Sequence, residues 1–291
     1  MTPSTQAKPQ VYSHRPNEDE VMALEIKLLL QAIAFRYDYD FSHYAQASLT
    51  RRINNCLKKS QLNNIAEMIP KVLHQPEFFE LFLKEMSVTV TEMFRDPKVF
   101  KELRNKVFTQ LKTYSRINIW HAGCATGEEV YSLAIMLKEE GLLHRCQIYA
   151  TDFNNQSLKV AEQGIYKAEK ISEYTHNYQL AGGKASFADY YQAKHGYAKI
   201  HNDLKEHITF AHHNLIKDQC FAQMHLIICR NVLIYFDKTL QNNVLSLFNQ
   251  SLLHRGYLLL GDKESLEFSK QKNNFDTIAK DQRIYQKISY E

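Results

Sequence analysis

Glycine is scarce in this chain of 291 residues: nine occur in all, and none precedes Gly123. From Val21 to about Lys112 there is hardly any strand signal either, and apolar residues recur at helical spacing. That region therefore reads as a small all-helical domain (21–112). Cysteine is sparse and scattered, at 56, 124, 146, 220 and 229, without a C-x-x-C pair. This excludes a disulfide framework and a zinc site, so no metal is expected, and the thiols suit a cytoplasmic protein. No run approaches the roughly 18 apolar residues of a membrane span. The polar start, Met1 to Glu20, lacks a signal-peptide core and carries three prolines, so 1–20 is expected to be a disordered tail, with no membrane insertion. A net charge of +4 is too mild to argue for nucleic acid. The 44% hydrophobic content suffices for one large domain and a small one. There is no internal repeat.

Beyond Arg116 the pattern changes to strand and helix in alternation: strand 117–122, helix 128–140, strand 147–152 and helix 155–164. This is the α/β signature of a parallel sheet with right-handed crossovers, placed here in a domain spanning 113–291. A stretch rich in tyrosine and histidine interrupts it, read as an inserted small subdomain at about 166–210. Alternation resumes with a strand at 225–231, a helix at 237–253 and a strand at 257–261. The tail, 275–278 with 283–288, reads as a closing antiparallel pair.

The most telling junction is Trp120-His121-Ala122-Gly123-Cys124-Ala125-Thr126-Gly127-Glu128-Glu129, where an apolar strand meets a helix through a turn bracketed by two glycines. Glycine at Gly123 lets the backbone turn tightly and approach a ligand. Glu128 and Glu129 fall in the first helical turn, at the positive end of the dipole. The second strand ends in Asp152, placed like a carboxylate that accepts from ribose hydroxyls, or alternatively as the N-cap of the helix that follows. The absence of G-x-G-x-x-G disfavours a dinucleotide. A nucleoside without phosphates, such as S-adenosylmethionine, fits better.

Ligands in open α/β sheets sit at the carboxyl ends of the strands. There the third strand delivers Arg230-Asn231-Val232-Leu233-Ile234-Tyr235-Phe236-Asp237. Asn231 offers donor and acceptor, and Tyr235 can present a hydroxyl, although strand-end capping and amphipathic packing are open readings of the two. In the helical region Leu49, Ile53, Cys56 and Leu57 make a buried stripe, leaving Arg51, Arg52, Lys58 and Lys59 on the other faces. Those four are either a solvated face or a docking surface for an acidic helix.

Thr89-Val90-Thr91-Glu92-Met93-Phe94-Arg95-Asp96, Gly123-Cys124-Ala125-Thr126-Gly127-Glu128-Glu129, Ala150-Thr151-Asp152, His213-Asn214-Leu215 and Arg230-Asn231-Val232-Leu233-Ile234-Tyr235-Phe236-Asp237 follow one another as in the CheR-type chemotaxis receptor glutamate O-methyltransferases. In these motifs the chain resembles that family over roughly 24–288. The resemblance implies a Rossmann-like class I methyltransferase sheet that carries a methyl group from S-adenosylmethionine to the γ-carboxylate of receptor glutamates, leaving S-adenosylhomocysteine. It implies a cofactor site of Thr89, Thr91, Arg95, Gly123, Glu129, Asp152, Asn214, Leu215, Asn231 and Val232, with Arg95 and Tyr235 flanking the methyl group. The basic helix Arg51–Lys59 would face the acidic cytoplasmic helices of a methyl-accepting receptor, with the protein a monomer recruited to receptor arrays. The chain departs from many members at Thr89, Met93, Val130 and Asp262-Lys263. Two other readings stay open: a cofactor-binding adaptor without turnover, and a methyltransferase for a different protein acceptor. A nucleic-acid methyltransferase is disfavoured, since Asn231 is not followed by a Pro-Pro-aromatic element and no basic stripe with stacking aromatics is present.

Overall fold

The computed structural model describes residues 16–87 and 91–289. They fall into two compact units, one ending at Ser42 and resuming over Thr50–Phe82, the other comprising His43–Leu49 and everything from Leu83.

The first unit is helical, built on α1 (Glu18–Tyr37), most of α2 (Gln46–Lys59), α3 (Met68–His74) and the start of α4 (Pro76–Met86). A capping box starts α1: Asn17 and Glu20 exchange backbone and side-chain hydrogen bonds of 2.9 Å. The tail expected over 1–20 therefore gives way to helix at Glu18, and residues 1–15 lie outside those described. Ile26, Leu29 and Ile33 of α1, Ile53 and Cys56 of α2, and Met68 and Val72 of α3 are buried at the period of a one-sided apolar stripe. Tyr37 stacks on Phe79 and donates its hydroxyl to the Val72 carbonyl at 2.9 Å.

The second unit is α/β. Its strands are β1 (Ile117–Ala122), β2 (Cys146–Asp152), β3 (Ile165–Lys167), β4 (Tyr191–Lys194), β5 (Tyr197–Ile200), β6 (Ile208–His212), β7 (Met224–Cys229), β8 (Leu252–Leu260), β9 (Phe275–Ala279) and β10 (Ile284–Lys287). Seven of them form one sheet in the order β6-β2-β1-β7-β8-β10-β9. The first five in that order run parallel, and the last two return antiparallel as the expected closing pair. Chain order reverses between β1 and β7, which makes their carboxyl ends the switch point where such sheets take ligands.

The helices of this unit are α5 (Pro97–Glu102), α6 (Thr109–Leu111), α7 (Glu128–Glu139), α8 (Asn155–Gln163), α9 (Ile171–Leu180), α10 (Asn202–Lys205) and α11 (Lys238–Ser251). A π-helical stretch, Leu103–Phe108, joins α5 to α6. Phe100 of α5 and Leu103, Val107 and Phe108 of that stretch share an apolar cluster with Ile119 of β1 and Leu133 of α7. The helical region was expected to extend to 112, but its last part packs with the sheet, and the division between units lies at Phe82/Leu83. Helical periodicity marks a buried face without saying which core receives it.

The expected insertion at 166–210 contains the three-stranded antiparallel sheet β3-β5-β4 and α9, but it ends earlier, because β6 begins at Ile208 and pairs in parallel with β2. As an edge strand with mostly exposed side chains, β6 lacks the apolar alternation that would announce it. Tyrosines tie the insertion to α7. Tyr178 and Tyr190 both donate to Glu139, and Tyr166 donates to the Thr126 carbonyl at 2.7 Å. Although partly buried, Glu140 beside them is held down to about 2 by Lys184, Lys112 and Arg104.

Helix α8 is capped by Asn154, whose side chain accepts from Gln156 and Ser157 N–H at 2.9 and 3.1 Å. The cap reading of Asp152 is thereby displaced by two residues. Asn154→Ala should cost about 1 kcal/mol in a urea titration, with Asn154→Asp retaining most of the stability. Equal midpoints for wild type and Asn154→Ala would show that the cap contributes nothing.

Candidate active site

A cleft of about 280 Å³ opens in the second unit at the carboxyl ends of β1, β2 and β7. From the first strand-to-helix turn it receives Gly123 and Glu129, from the end of β2 Asp152, and from the loop after β6 Asn214 and Leu215. The segment before α5 supplies Thr91 and Arg95, and the end of β7 supplies Asn231, Val232 and Tyr235. One cleft thus gathers every residue expected at the cofactor and methyl-transfer site except Thr89, which lies outside the described residues.

Close backbone approach explains the first glycine. Gly123 has φ +72°, and a Cβ there would sit 2.4 Å from Cγ2 of Val232, so the two loops touch where only a hydrogen fits. The turn is held by Asp152. Its buried carboxylate accepts from Ala125 N–H through Oδ2 and from Asn154 N–H through Oδ1, both at 2.9 Å. A carboxylate has about four lone-pair sites, so it is fixed in orientation by these amides and still able to accept. Burial pushes its pKa up, and the backbone N–H groups pull against that.

The two acids of α7 part company. Glu128 is not among the cleft residues; it accepts from Thr126 Oγ1 at 2.6 Å and from the Tyr174 hydroxyl at 3.5 Å, and burial raises its pKa. Glu129 lines the cleft and is held by Arg230, whose Nη1 donates to Oε1 at 3.0 Å. Arg230 also donates at 2.5 Å through Nη2 to Asp96 and at 3.3 Å to the Arg95 carbonyl, joining the end of β7 to α7 and to the loop that carries Arg95. The same loop is pinned by Ser132, whose Oγ accepts from Phe94 N–H, and by Asn177, which donates to the Met93 carbonyl.

Glu264 organises the other side. Its carboxylate accepts from the N–H groups of Asn231, Val232 and Leu233 at 3.1, 2.8 and 2.7 Å, and from Gly261 at 2.6 Å. Burial raises its pKa despite the lowering effect of those amides. Backbone strain collects here as well: Phe94, Asp96, Ala125 and Asn231 all have φ between 48° and 60°. Non-glycine residues hold such angles where surrounding contacts over-determine them, often at functional sites.

Sequence reasoning missed Arg230, Glu264 and His121. Arg230 leaves a trace as the first charge after the apolar run of β7, but its partners are remote in the chain. His121 is a buried cleft residue whose ring nitrogens have no hydrogen-bond partner among the described residues, and burial lowers its pKa. Cys124 also lines the cleft, and burial with the Asp152 charge raises its pKa, which disfavours a thiolate there.

In the first unit Arg51, Lys58 and Lys59 of α2 are exposed, but Arg52 is buried at 5% exposure. The expected basic face therefore loses Arg52, which shares the side of the helix that carries buried Ile53 and Cys56.

Residues 89–284 match the family model described as CheR methyltransferase, SAM binding domain, and residues 24–87 match CheR methyltransferase, all-alpha domain. The "Putative methyltransferase Cher3" of Pseudomonas putida is 48% identical, with 91% of this chain and 97% of that protein aligned. The chemotaxis protein methyltransferase of Borreliella burgdorferi is 30% identical over 84% of this chain and 89% of its own. Among solved structures, the N-methyltransferase NodS of Bradyrhizobium japonicum, bound to S-adenosyl-L-homocysteine, aligns with 58% of this chain and 62% of its own at 16% identity and a TM-score of 0.33.

Removing Arg230 while keeping Glu129 strands a buried carboxylate. Arg230→Met should therefore lose roughly 3–5 kcal/mol of stability, part of it recovered in the double variant Arg230→Met with Glu129→Gln. Chemical denaturation checks this, and additive losses in the double variant would show that the two side chains do not couple.

Proposed function

The chain belongs to the CheR methyltransferase family, and from that premise we propose that it methylates the γ-carboxylate of glutamates on bacterial chemoreceptors, at their cytoplasmic helices, as an S-adenosylmethionine-dependent protein-glutamate O-methyltransferase. The observation that carries the reading is one cleft lined by both Asp152 and Glu129 on one side and by Arg95 and Tyr235 from other segments. A bound nucleoside with an amino-acid end asks for that set of groups: a carboxylate to accept from ribose hydroxyls, another to accept from an ammonium, and a guanidinium to donate to a carboxylate. The nitrogens of buried His121, which make no hydrogen bond among the described residues although Nε2 lies 3.8 Å from Glu129, and the glycine-only approach at Gly123 are further marks of a surface shaped to receive a polar ligand.

S-adenosylmethionine, when bound, supplies an electrophilic methyl group on a sulfonium. Asp152 accepts from the ribose, oriented by the Ala125 and Asn154 amides. Glu129, positioned by Arg230, accepts from the amino group, and Asn231 offers donor and acceptor to the base or amino-acid end. A glutamate of pKa about 4.3 is already ionised at neutral pH, so no strong general base is required. What this chain must supply is alignment, which can be worth about 7–11 kcal/mol. Arg95 grips a carboxylate through parallel hydrogen bonds, and Tyr235 steers the acceptor oxygen with its hydroxyl.

Other members named for chemotaxis, in Listeria monocytogenes and Vibrio cholerae among them, support assigning the acceptor to chemoreceptors. The assay is incubation with methyl-labelled S-adenosylmethionine and receptor-bearing membranes, followed by alkali. Volatile label released by base is expected from a carboxyl methyl ester. Alkali-stable label would instead mean amine methylation, and bound cofactor without transfer would mean an adaptor. Asp152→Ala should abolish cofactor binding in calorimetry, an outcome that unchanged affinity would contradict. Tyr235→Phe should lower turnover more than cofactor affinity, and unaltered kinetics would remove Tyr235 from the mechanism.

A further inference from the structure

A second hollow, of about 450 Å³, lies in the same unit beside the cleft, between α11, the turn Leu233–Tyr235 and the segment 263–269. Ile234 and Lys263 line both, so the two spaces adjoin. Leu233 and Leu245 give the hollow an apolar floor, and Lys238, Lys263 and Arg283 surround it. Its two acids are already engaged, Glu264 by backbone amides and Glu267 by Lys272 at 2.5 Å. None of the three cations forms a salt bridge among the described residues. Arg283, a lining residue, donates through its Nε to the Asp262 carbonyl at 3.2 Å, and its two outer nitrogens have no hydrogen bond among the described residues. Phe268, another lining residue, is 93% exposed, an unusual state for a large aromatic ring on a surface that meets only water.

We propose that this groove docks the acidic polypeptide segment flanking the methyl-accepting glutamate, with acceptor carboxylates meeting Lys238, Lys263 and Arg283 and an apolar acceptor side chain covering Phe268. The proposal rests on the carboxyl-methylation reading, because a protein side chain can enter the cleft only if its backbone covers the adjoining surface. Two features select an acidic polypeptide. The groove carries a surplus of unpaired positive charge, which attracts anions and speeds encounter, and its apolar floor and aromatic ring suit side chains. The groove thereby acts as a specificity surface that adds to whatever the reacting glutamate itself contributes.

The test uses the full chain and a fluorescent, glutamate-rich helical peptide of about 20 residues containing leucine, followed by anisotropy, with a lysine-rich peptide of equal length and a short DNA duplex as controls. The acidic peptide should bind wild type and the lysine-rich peptide should not. Lys238→Glu and Phe268→Ala should each weaken binding, the charge reversal by about tenfold or more, while Lys238→Arg retains it. Calorimetry with S-adenosylhomocysteine should give the same affinity for all variants. Unchanged peptide affinity in Lys238→Glu overturns the proposal, as does equal binding of the two peptides. Tighter binding of the duplex that Lys238→Glu removes would assign the groove to nucleic acid and likewise overturn it. Peptide binding needs no turnover, so a wild type that binds the peptide but methylates nothing sinks the catalytic reading and leaves the groove assigned.

Discussion

The buried guanidinium of Arg230 is the constraint on which the site depends. At the end of β7 it bonds Glu129 of α7, Asp96 and the Arg95 carbonyl, so three segments remote in sequence share one charge. A buried charge of this kind is tolerated only when its partners are in place. The position of Arg95 therefore follows from that of Arg230, and so does the orientation of Glu129. Glu264 does the equivalent for backbone: by accepting from Asn231, Val232 and Leu233 it holds the turn after β7 in its left-handed start and brings Val232 against Gly123.

Together these two side chains show how a parallel sheet becomes a specific cleft. The sheet brings the ends of β1, β2 and β7 to one edge through ordinary apolar burial. Polar groups then fix the loops, each acting on a neighbour's backbone or charge. Preorganisation of this sort lets a ligand meet donors and acceptors already aimed, without first ordering them. The left-handed angles at Phe94, Asp96, Ala125 and Asn231 fall in the loops that meet at this cleft.

Much of the frame was legible in the residues themselves. The apolar run before Gly123 and the periodic run after it mark β1 and α7, and Asp152 and Asn231 fall at strand ends because alternation of strand and helix can be counted along the chain. What escaped were relations across distance. Arg230 stands 101 residues from Glu129 and 134 from Asp96, and nothing local pairs them. Glu264 reads as one more surface acid until its amide partners are known. The stretch 97–111 shows a helical period that fits either core, and β6, exposed at the edge, has no pattern to read. The middle of α2 illustrates the limit of charge runs, since Arg52 and Arg51 are adjacent in sequence yet one is buried and the other exposed.

The most direct measurement of the central claim is a crystal structure of the protein with S-adenosylhomocysteine. Ribose density is expected within hydrogen-bonding distance of Asp152 and the amino-acid end beside Glu129 and Arg95, with the Arg230 contacts retained. A nucleoside seated away from Asp152, or one that displaces Arg230 from Glu129, would contradict it.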